Sequence, residues 1–461
     1  MGQNHQQRLQ ENIRELIGGL DDARGLIEKE TQRDVSNLLA NLSAPDIAGL
    51  IDHLHPEEAR FVFNLLDDSV ASQVITKVNE HIQEELIEGT DETRLTRLVG
   101  EMESDDAADL IARLPEDVAR QVLCSIDPGL SERIRELLRY EEDTAGGLMA
   151  VELVTVDPNA TVKEAIEVVR NVANKDEQIY YVYVVDRRQN LVGTLSLRDL
   201  ILAQPDQRVS EIMNRDVMSV VQGTDQEEVA NIFRKYDLVV LPVVDTKGRL
   251  VGKITIDDIV DVIEEEDSED IAKMVGTSRE EMTEHSPVKV AGIRLPWLVI
   301  CLFGGMGSAT IVSHFEDVLG TVLTLAFFVP VLMDMGGNVG VQSATLVVRS
   351  LALGEIDTSG LWKRLHREIR TSLIMGVACG AAVGLFAFLW KDNPILGVIV
   401  AVAMCVAILA ASMTGVLMPM VFKKLGIDPA VATGPVVTTI NDWSGLLIYL
   451  GLATALLHWL R

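Results

Sequence analysis

The chain has 461 residues, 48% of them hydrophobic, and a formal net charge of -29 at pH 7. A surface this acidic repels phosphate, which argues against a nucleic-acid partner and makes a cation the natural one. The length suggests roughly three domains. Charge and apolarity are segregated: Asp and Glu crowd the chain up to about Glu284, and from Leu295 onward it is mostly apolar.

Residues 1 to about 140 read as wholly helical, with Leu, Ile and Val at three- and four-residue spacing and Pro or Asp at the breaks. An internal echo relates Asp46–Ile51, closing before Pro56-Glu57, to Asp106–Ile111, closing before Pro115-Glu116. It is compatible with a superhelix of stacked helices or with an irregular bundle. Asp105, Asp106 and Asp109 read first as a solvated face.

A second repeat is clearer. Val182–Asp186 leads through Gly193 to Ser196-Leu197-Arg198-Asp199, and Leu241–Asp245 leads through Gly252 to Thr255-Ile256-Asp257-Asp258. Each copy follows a strand-like start and an amphipathic helix, and the pair resembles tandem CBS domains. The hydroxyl of each [ST]xxD suits a helix cap, and its acid suits a ribose. The charged run Asp261–Asp270, DVIEEEDSED, repels itself unless cations bridge it to other acidic surfaces.

The apolar half reads as five membrane spans, near 292–313, 319–348, 369–390, 395–421 and 430–458. Arg349, Lys363, Arg364, Arg367, Arg370, Lys423 and Lys424 fall in alternate loops, which puts the soluble part in the cytoplasm and the C-terminus outside. Asp442 lies inside the last span, and a carboxylate at that depth needs water, an ion or a partner. Pro330–Ser343 carries Asp334, Gly336, Gly337 and Asn338, which reads as a broken helix offering oxygens to a cation.

The four cysteines, Cys124, Cys301, Cys379 and Cys405, form no CxxC and read as small buried hydrophobes. The polar start does not read as a signal peptide. With no P-loop, HExxH or Ser-His-Asp pattern, an enzyme is not expected.

This order of parts, with EEDTAGGLM (141–149), GGN (336–338), QSATL (342–346) and LGIDPA (425–430), resembles the MgtE magnesium channel family over essentially the whole chain. The resemblance implies a multidomain membrane protein: a superhelical α-helical N-domain (1–142), α/β CBS domains (143–206 and 207–267), a connecting plug helix (268–290) and a five-helix transmembrane pore domain (291–461). It implies a homodimer in membrane lipid, in the cell (inner) membrane, with one Mg2+ pore closed by intracellular Mg2+. Asp442 matches the pore acid, with Gly336, Gly337 and Asn338 beside it.

The same resemblance gives Asp105, Asp109, Asp225, Glu227, Asp237, Asp258, Asp261, Glu266, Glu269, Asp270 and Asp428 as sensor ligands. Tyr181, Arg198 and Asp199 match residues that hold regulatory ATP. Asp334, Gly434, Val341, Gln73 and Leu238 depart from the family pattern, which opens the question of Co2+, Mn2+ or Ca2+ passage and of nucleotide binding. The alternative function is a secondary transporter exchanging a divalent cation for Na+ or H+. A non-conducting membrane sensor is a third.

Overall fold

The computed structural model describes residues 35–172, 179–282, 284, 286–353 and 361–460, so the first 34 residues of the expected helical region lie outside it. The chain divides into two compact units at Val262/Ile263.

The first unit opens with short helices: α1 (Ala44–Ile51), α2 (Pro56–Asn64), α3 (Asp68–Ile75), α4 (Glu80–Glu88), α5 (Glu92–Gly100), α6 (Ser104–Arg113), α7 (Glu116–Ser125) and α8 (Pro128–Leu137). Prolines start several of them, and Asp91 and Asp127 accept backbone N–H groups at the N-termini of α5 and α8. Packing joins most of these helices to the next but one (α1 with α3, α2 with α4, α3 with α5, α5 with α7, α6 with α8), which makes the stack a superhelix. Its core includes Ile47, Ile51, Val62, Phe63, Leu86 and Leu98. Arg94 pins it, donating to Asn64 Oδ1 at 2.7 Å and to the carbonyls of Leu66 and Phe63 at 2.8 and 3.1 Å.

The CBS pair follows as β1 (Thr155–Val156), α9 (Val162–Val172), β2 (Tyr181–Val185), β3 (Leu191–Ser196), α10 (Leu197–Leu202), α11 (Val209–Ile212), β4 (Val220–Val221), α12 (Gln226–Tyr236), β5 (Val240–Val244) and β6 (Leu250–Thr255). Two three-stranded sheets repeat one register. Tyr181 opposes Ser196 as Val240 opposes Thr255, and each β-bulge falls at the fourth strand residue. Thr194 of β3 and Lys253 of β6 are therefore equivalent positions. The glycines of EEDTAGGLM are used for close approach: a Cβ on Gly147 would lie 2.6 Å from the Glu141 carbonyl oxygen. This turn threads the helical stack onto the second sheet, through Ala145 N to Thr224 O at 2.7 Å and Ala150 N to Lys253 O at 2.8 Å.

The acidic run is neither a loop nor confined to 268–290. It belongs to α13 (Ile256–Val275), which starts directly after β6 and ends at Gly276, where φ is +80°. Asp258 accepts from Thr255 N at 3.3 Å and from Thr255 Oγ1 at 2.8 Å, which closes the first turn, and the helix holds no Gly or Pro, so it starts early.

In the second unit α14 (Pro287–His314), α15 (Glu316–Thr321), α16 (Val329–Ala352), α17 (Leu361–Lys391), α18 (Pro394–Lys424), α19 (Pro435–Ala455) and α20 (Leu457–Leu460) follow in order. Among the described residues, five stretches are long and apolar enough to cross a membrane: Pro287–His314, Leu323–Ala352, Trp362–Lys391, Pro394–Lys424 and Pro429–Ala455. The central α18 packs on α16, α17 and α19. Gly380 and Gly384 let α17 meet the backbone of α18, since a Cβ there would lie 2.5 Å from Ala401 O and 2.6 Å from Gly397 O. Polar ties within the bundle are few. Tyr449 donates to Leu325 O and Trp443 to Gly304 O, each at 2.9 Å. Glu368 accepts from Ser343 and Ser412 at 2.7 and 3.0 Å. The cysteines are free and none is buried, because their helices present them on outer or part-covered faces.

Candidate ion path and sensor cleft

The broken helix expected at Gly336–Asn338 is corrected. Helix α16 runs unbroken through it, and the irregular backbone lies earlier, in the 3-10 turn Leu323–Phe328. The glycines serve packing. A Cβ on Gly340 would lie 1.8 Å from Asn441 Nδ2, and one on Gly337 would just touch the Thr438 methyl at 3.9 Å. Asn441 is 2% exposed, its Nδ2 reaches Gly336 O at 3.4 Å, and its Oδ1 is buried with no hydrogen-bond partner. Asp334, Asn338, Gln342 and Arg349 are exposed along α16, while Asp442 is half-buried on α19. At spacings of four and seven residues the α16 set forms one polar stripe down a membrane-length helix.

At the foot of α19, the end of α13 is seated tightly. A Cβ on Gly434 would lie 2.5 Å from Met274 O, and Gly276 lies against Trp297 and Pro435. Lys273 Nζ donates to Asp428 Oδ2 at 2.7 Å and also pairs with Glu269. Burial works against the Lys273 ammonium, but the bonds to Asp428 and Glu269 outweigh it and raise its pKa. Burial, with the Asp428 charge added, pushes Asp270 up to about 6. Thus Glu269, Asp270 and Asp428 do come together, with Lys273 among them.

In the first unit a polar cavity of about 70 Å3 is lined by Glu103, Asp105, Asp106, Asp257 and Asp258, with Tyr180, Lys253 and Thr255. Helix α6 is held there by Ser104, which donates to Glu152 Oε2 at 2.6 Å and accepts from Val151 N at 3.1 Å. Asp105 is 9% exposed, and burial, then the charges of Asp258 and Asp106, raise its pKa well above the usual range. Asp106 stands open to solvent on one side, yet the protein around it, then Asp258 and Asp109, raise it to about 7. Burial raises Asp258 to about 6 against the hydrogen bonds from Thr255. Among the described residues no group of three or more His, Cys, Asp or Glu is arranged to hold a metal ion directly. The carboxylates of this cavity still suit Mg2+, which keeps several waters and takes one or two carboxylates, although Lys253 stands in the same lining.

Other expected ligands are placed elsewhere. Asp225 caps α12, accepting from Glu227 N at 2.9 Å, and Asp237 ends the same helix with φ +51°. Asp109, Glu227 and Asp261 are exposed, Glu266 is half-buried on α13, and Gln73 is an exposed residue of α3. Asp199 is engaged by Ser196, whose Oγ donates to it at 2.6 Å while accepting from Asp199 N at 3.1 Å. Arg198 is exposed beside it. Tyr181 lines a small cavity with Glu152, Tyr180 and Lys253, among others, a set without Arg198 or Asp199. Sequence reasoning missed Lys253, Lys273, Glu368 and Asn441, and read Asp106 only as a solvated face. The four-residue spacing of Glu269 and Lys273 on one helix was the available signal for Lys273.

A helical stack and a CBS pair, joined to five membrane-length helices with acids at membrane depth, define a membrane cation transporter with cytosolic domains. Family profiles agree: a divalent cation transporter profile matches residues 329–452, the MgtE intracellular N domain 42–143, and the CBS domain 145–206 and 209–265. The chain belongs to the MgtE family of magnesium transporters. It is 39% identical over 439 residues to the magnesium transporter MgtE of Thermus thermophilus, covering 94% of this chain and 97% of the relative. With that of Bacillus subtilis it shares 35% over 428 residues, covering 92% and 94%. A solved cytosolic domain of the Mg2+ channel MgtE in complex with ATP is 40% identical over 50% of this chain and 94% of its own, with a TM-score of 0.47. The soluble part of a magnesium transporter is 31% identical, covering 56% and 98%, with a TM-score of 0.48. Matches to inosine-5'-monophosphate dehydrogenases, such as that of Aquifex aeolicus at 34% identity, cover 28% of this chain and 26% of the enzyme. They concern the CBS domains alone, and the family is one of transporters, not enzymes.

Proposed function

We propose that the chain forms a homodimeric, passive Mg2+ channel that intracellular Mg2+ closes. The observation that carries this reading is the end of α13 seated at the foot of the helix that bears Asp442, with the carboxylates of Glu269, Asp270 and Asp428 gathered at that joint. A divalent cation supplies charge neutralisation to such carboxylates. Without it they repel and loosen the seat; with it the seat tightens and α19 is held. The cleft around Asp105, Asp106 and Asp258 acts in the same sense on the helical stack, and a few kcal/mol of differential binding shifts such a two-state equilibrium.

Asp442 holds the permeating ion by its hydration shell, since Mg2+ sheds water reluctantly. Polar groups exposed at membrane depth on one protomer support a second copy across a shared, water-filled path. The loop charges support an outside C-terminus. Tyr181, Arg198 and Asp199 are the residues that would meet an adenine nucleotide, and binding of ATP to the full-length protein, lost in Arg198→Ala, tests that part.

The channel is tested by Mg2+ flux into proteoliposomes with no sodium or proton gradient. Flux suppressed by Mg2+ on the sensor side and absent in Asp442→Ala is expected. Flux that appears only with an imposed gradient overturns the channel in favour of an exchanger.

A further inference from the structure

Asp334 and Asp442 lie on two membrane helices that pack on each other, and the packing fixes how these acids lie. In the antiparallel contact of α16 and α19, Gly336 meets Asn441, Gly337 meets Thr438 and Gly340 meets Val437. Asp334 precedes Gly337 by three residues and Asp442 follows Thr438 by four. On antiparallel helices those offsets turn both side chains to the same side of the contact. The level also matches. Asn441 sits opposite Gly336 and Val437 opposite Gly340, so Asp442 and Asp334 stand about 2 Å apart along the helix axis at ~1.5 Å per residue.

Their accessibility agrees, since Asp334 is exposed and Asp442 half-buried. An independent feature lies at the same level: Asn441 Oδ1, an amide oxygen 2% exposed at the residue level, is an acceptor with no donor. A buried acceptor left so is costly, and a water carried by a cation is a donor. Asn338 and Gln342 continue the polar face from Asp334 at i+4 and i+8.

We propose that Asp334 joins Asp442 in a single site for a hydrated divalent cation, with Asn441 as an added acceptor. This rests on the channel reading above. Two copies of the chain then present four carboxylates to one ion, and the amides of Asn338 and Gln342 line the way from it. The site holds divalent ions more tightly than Asp442 alone and admits larger ones, such as Mn2+, whose waters are shed more readily.

The test is flux through the full-length protein in proteoliposomes, with Asp334→Asn, Asp334→Gly and Asp442→Asn, scored by half-saturating Mg2+ and by the Mn2+ to Mg2+ ratio. A carboxylate ~6 Å from a divalent ion in a watery path is worth about tenfold in affinity. Asp334→Asn is therefore expected to raise half-saturating Mg2+ by at least about tenfold and lower the Mn2+ ratio, with Asp334→Gly doing the same. A second readout is chemical. In a cysteine-free background, Asp334→Cys reacts with a charged thiosulfonate, and Mg2+ protects it only while Asp442 is present. Unchanged half-saturation and unprotected labelling, with flux lost in Asp442→Asn, overturn the shared site and leave the channel standing. Flux retained in Asp442→Asn overturns the path reading itself.

Discussion

Replacing Lys273 by Met removes the ammonium that ties the end of α13 to the membrane unit. Its partner Asp428 lies 2.7 Å away, and the two side chains are 29% and 34% exposed. Such a pair falls between an exposed bridge, worth up to about 1 kcal/mol, and a buried one, worth about 3–5 kcal/mol when broken. About 1.5 kcal/mol is a fair value, or roughly tenfold in the ratio of seated to unseated helix. The consequence is sharpest without divalent cations, where Lys273 is the positive charge the structure places among Glu269, Asp270 and Asp428. Flux into liposomes with chelated Mg2+ on the sensor side is expected to rise, by up to about tenfold or until the channel is fully open. Mg2+ should still close the variant. The swap Lys273→Asp with Asp428→Lys should return flux toward wild type. Equal flux from wild type and Lys273→Met at zero Mg2+, with normal closure by Mg2+ in both, would refute the reasoning.

Acid should act on the cleft in the same sense as a cation. The pKa values of Asp105, Asp106 and Asp258 are raised in the assembled unit, the last two to about 7 and about 6. Assembly therefore favours their protonated forms, and this support is lost as pH rises through those values. Protease cleavage of the helical stack in Mg2+-free protein should quicken from about pH 5 to about pH 8, and Asp106→Asn should flatten the rise; a flat wild-type profile would count against it. Gly434→Ala would place a Cβ 2.5 Å from Met274 O, so the seat of α13 must shift and closure should need more Mg2+, read as a higher half-inhibitory concentration. Glu368→Ala leaves Ser343 and Ser412 without their shared acceptor, which should cost about 1–3 kcal/mol and lower the melting temperature in detergent, while Glu368→Gln should recover most of it.

The architecture was legible because charge and apolarity are separated along the chain and because the CBS repeat keeps one spacing from strand to hydroxyl to acid. The membrane acids stood out for the same reason, as single charges in apolar runs. What was misread depended on packing. Gly336, Gly337 and Gly340 look like a helix break by composition, but they admit Asn441 and Thr438 to the face of an intact helix. Asp225 and Asp237 also start and end a helix, a local role that their residue type alone does not announce. Asp106 looked solvated because nothing in its own helix says that Asp258 lies across from it. Lys253 was invisible for a similar reason, since a lysine in a strand is ordinarily half exposed and this one is 7% exposed.

The matched registers of the two sheets give the CBS pair two equivalent cradles, one ending in Ser196-Leu197-Arg198-Asp199 and the other in Thr255-Ile256-Asp257-Asp258. At the third place of the motif the sign of the charge is opposite, Arg198 in one and Asp257 in the other, and the second cradle faces the carboxylates of α6. A duplicated scaffold with inverted charge can diverge in ligand class without any change of backbone. Substitution at Arg198 changes the charge of one cradle while Asp257 and its neighbours keep that of the other. Each half is a separate dial on one shared frame.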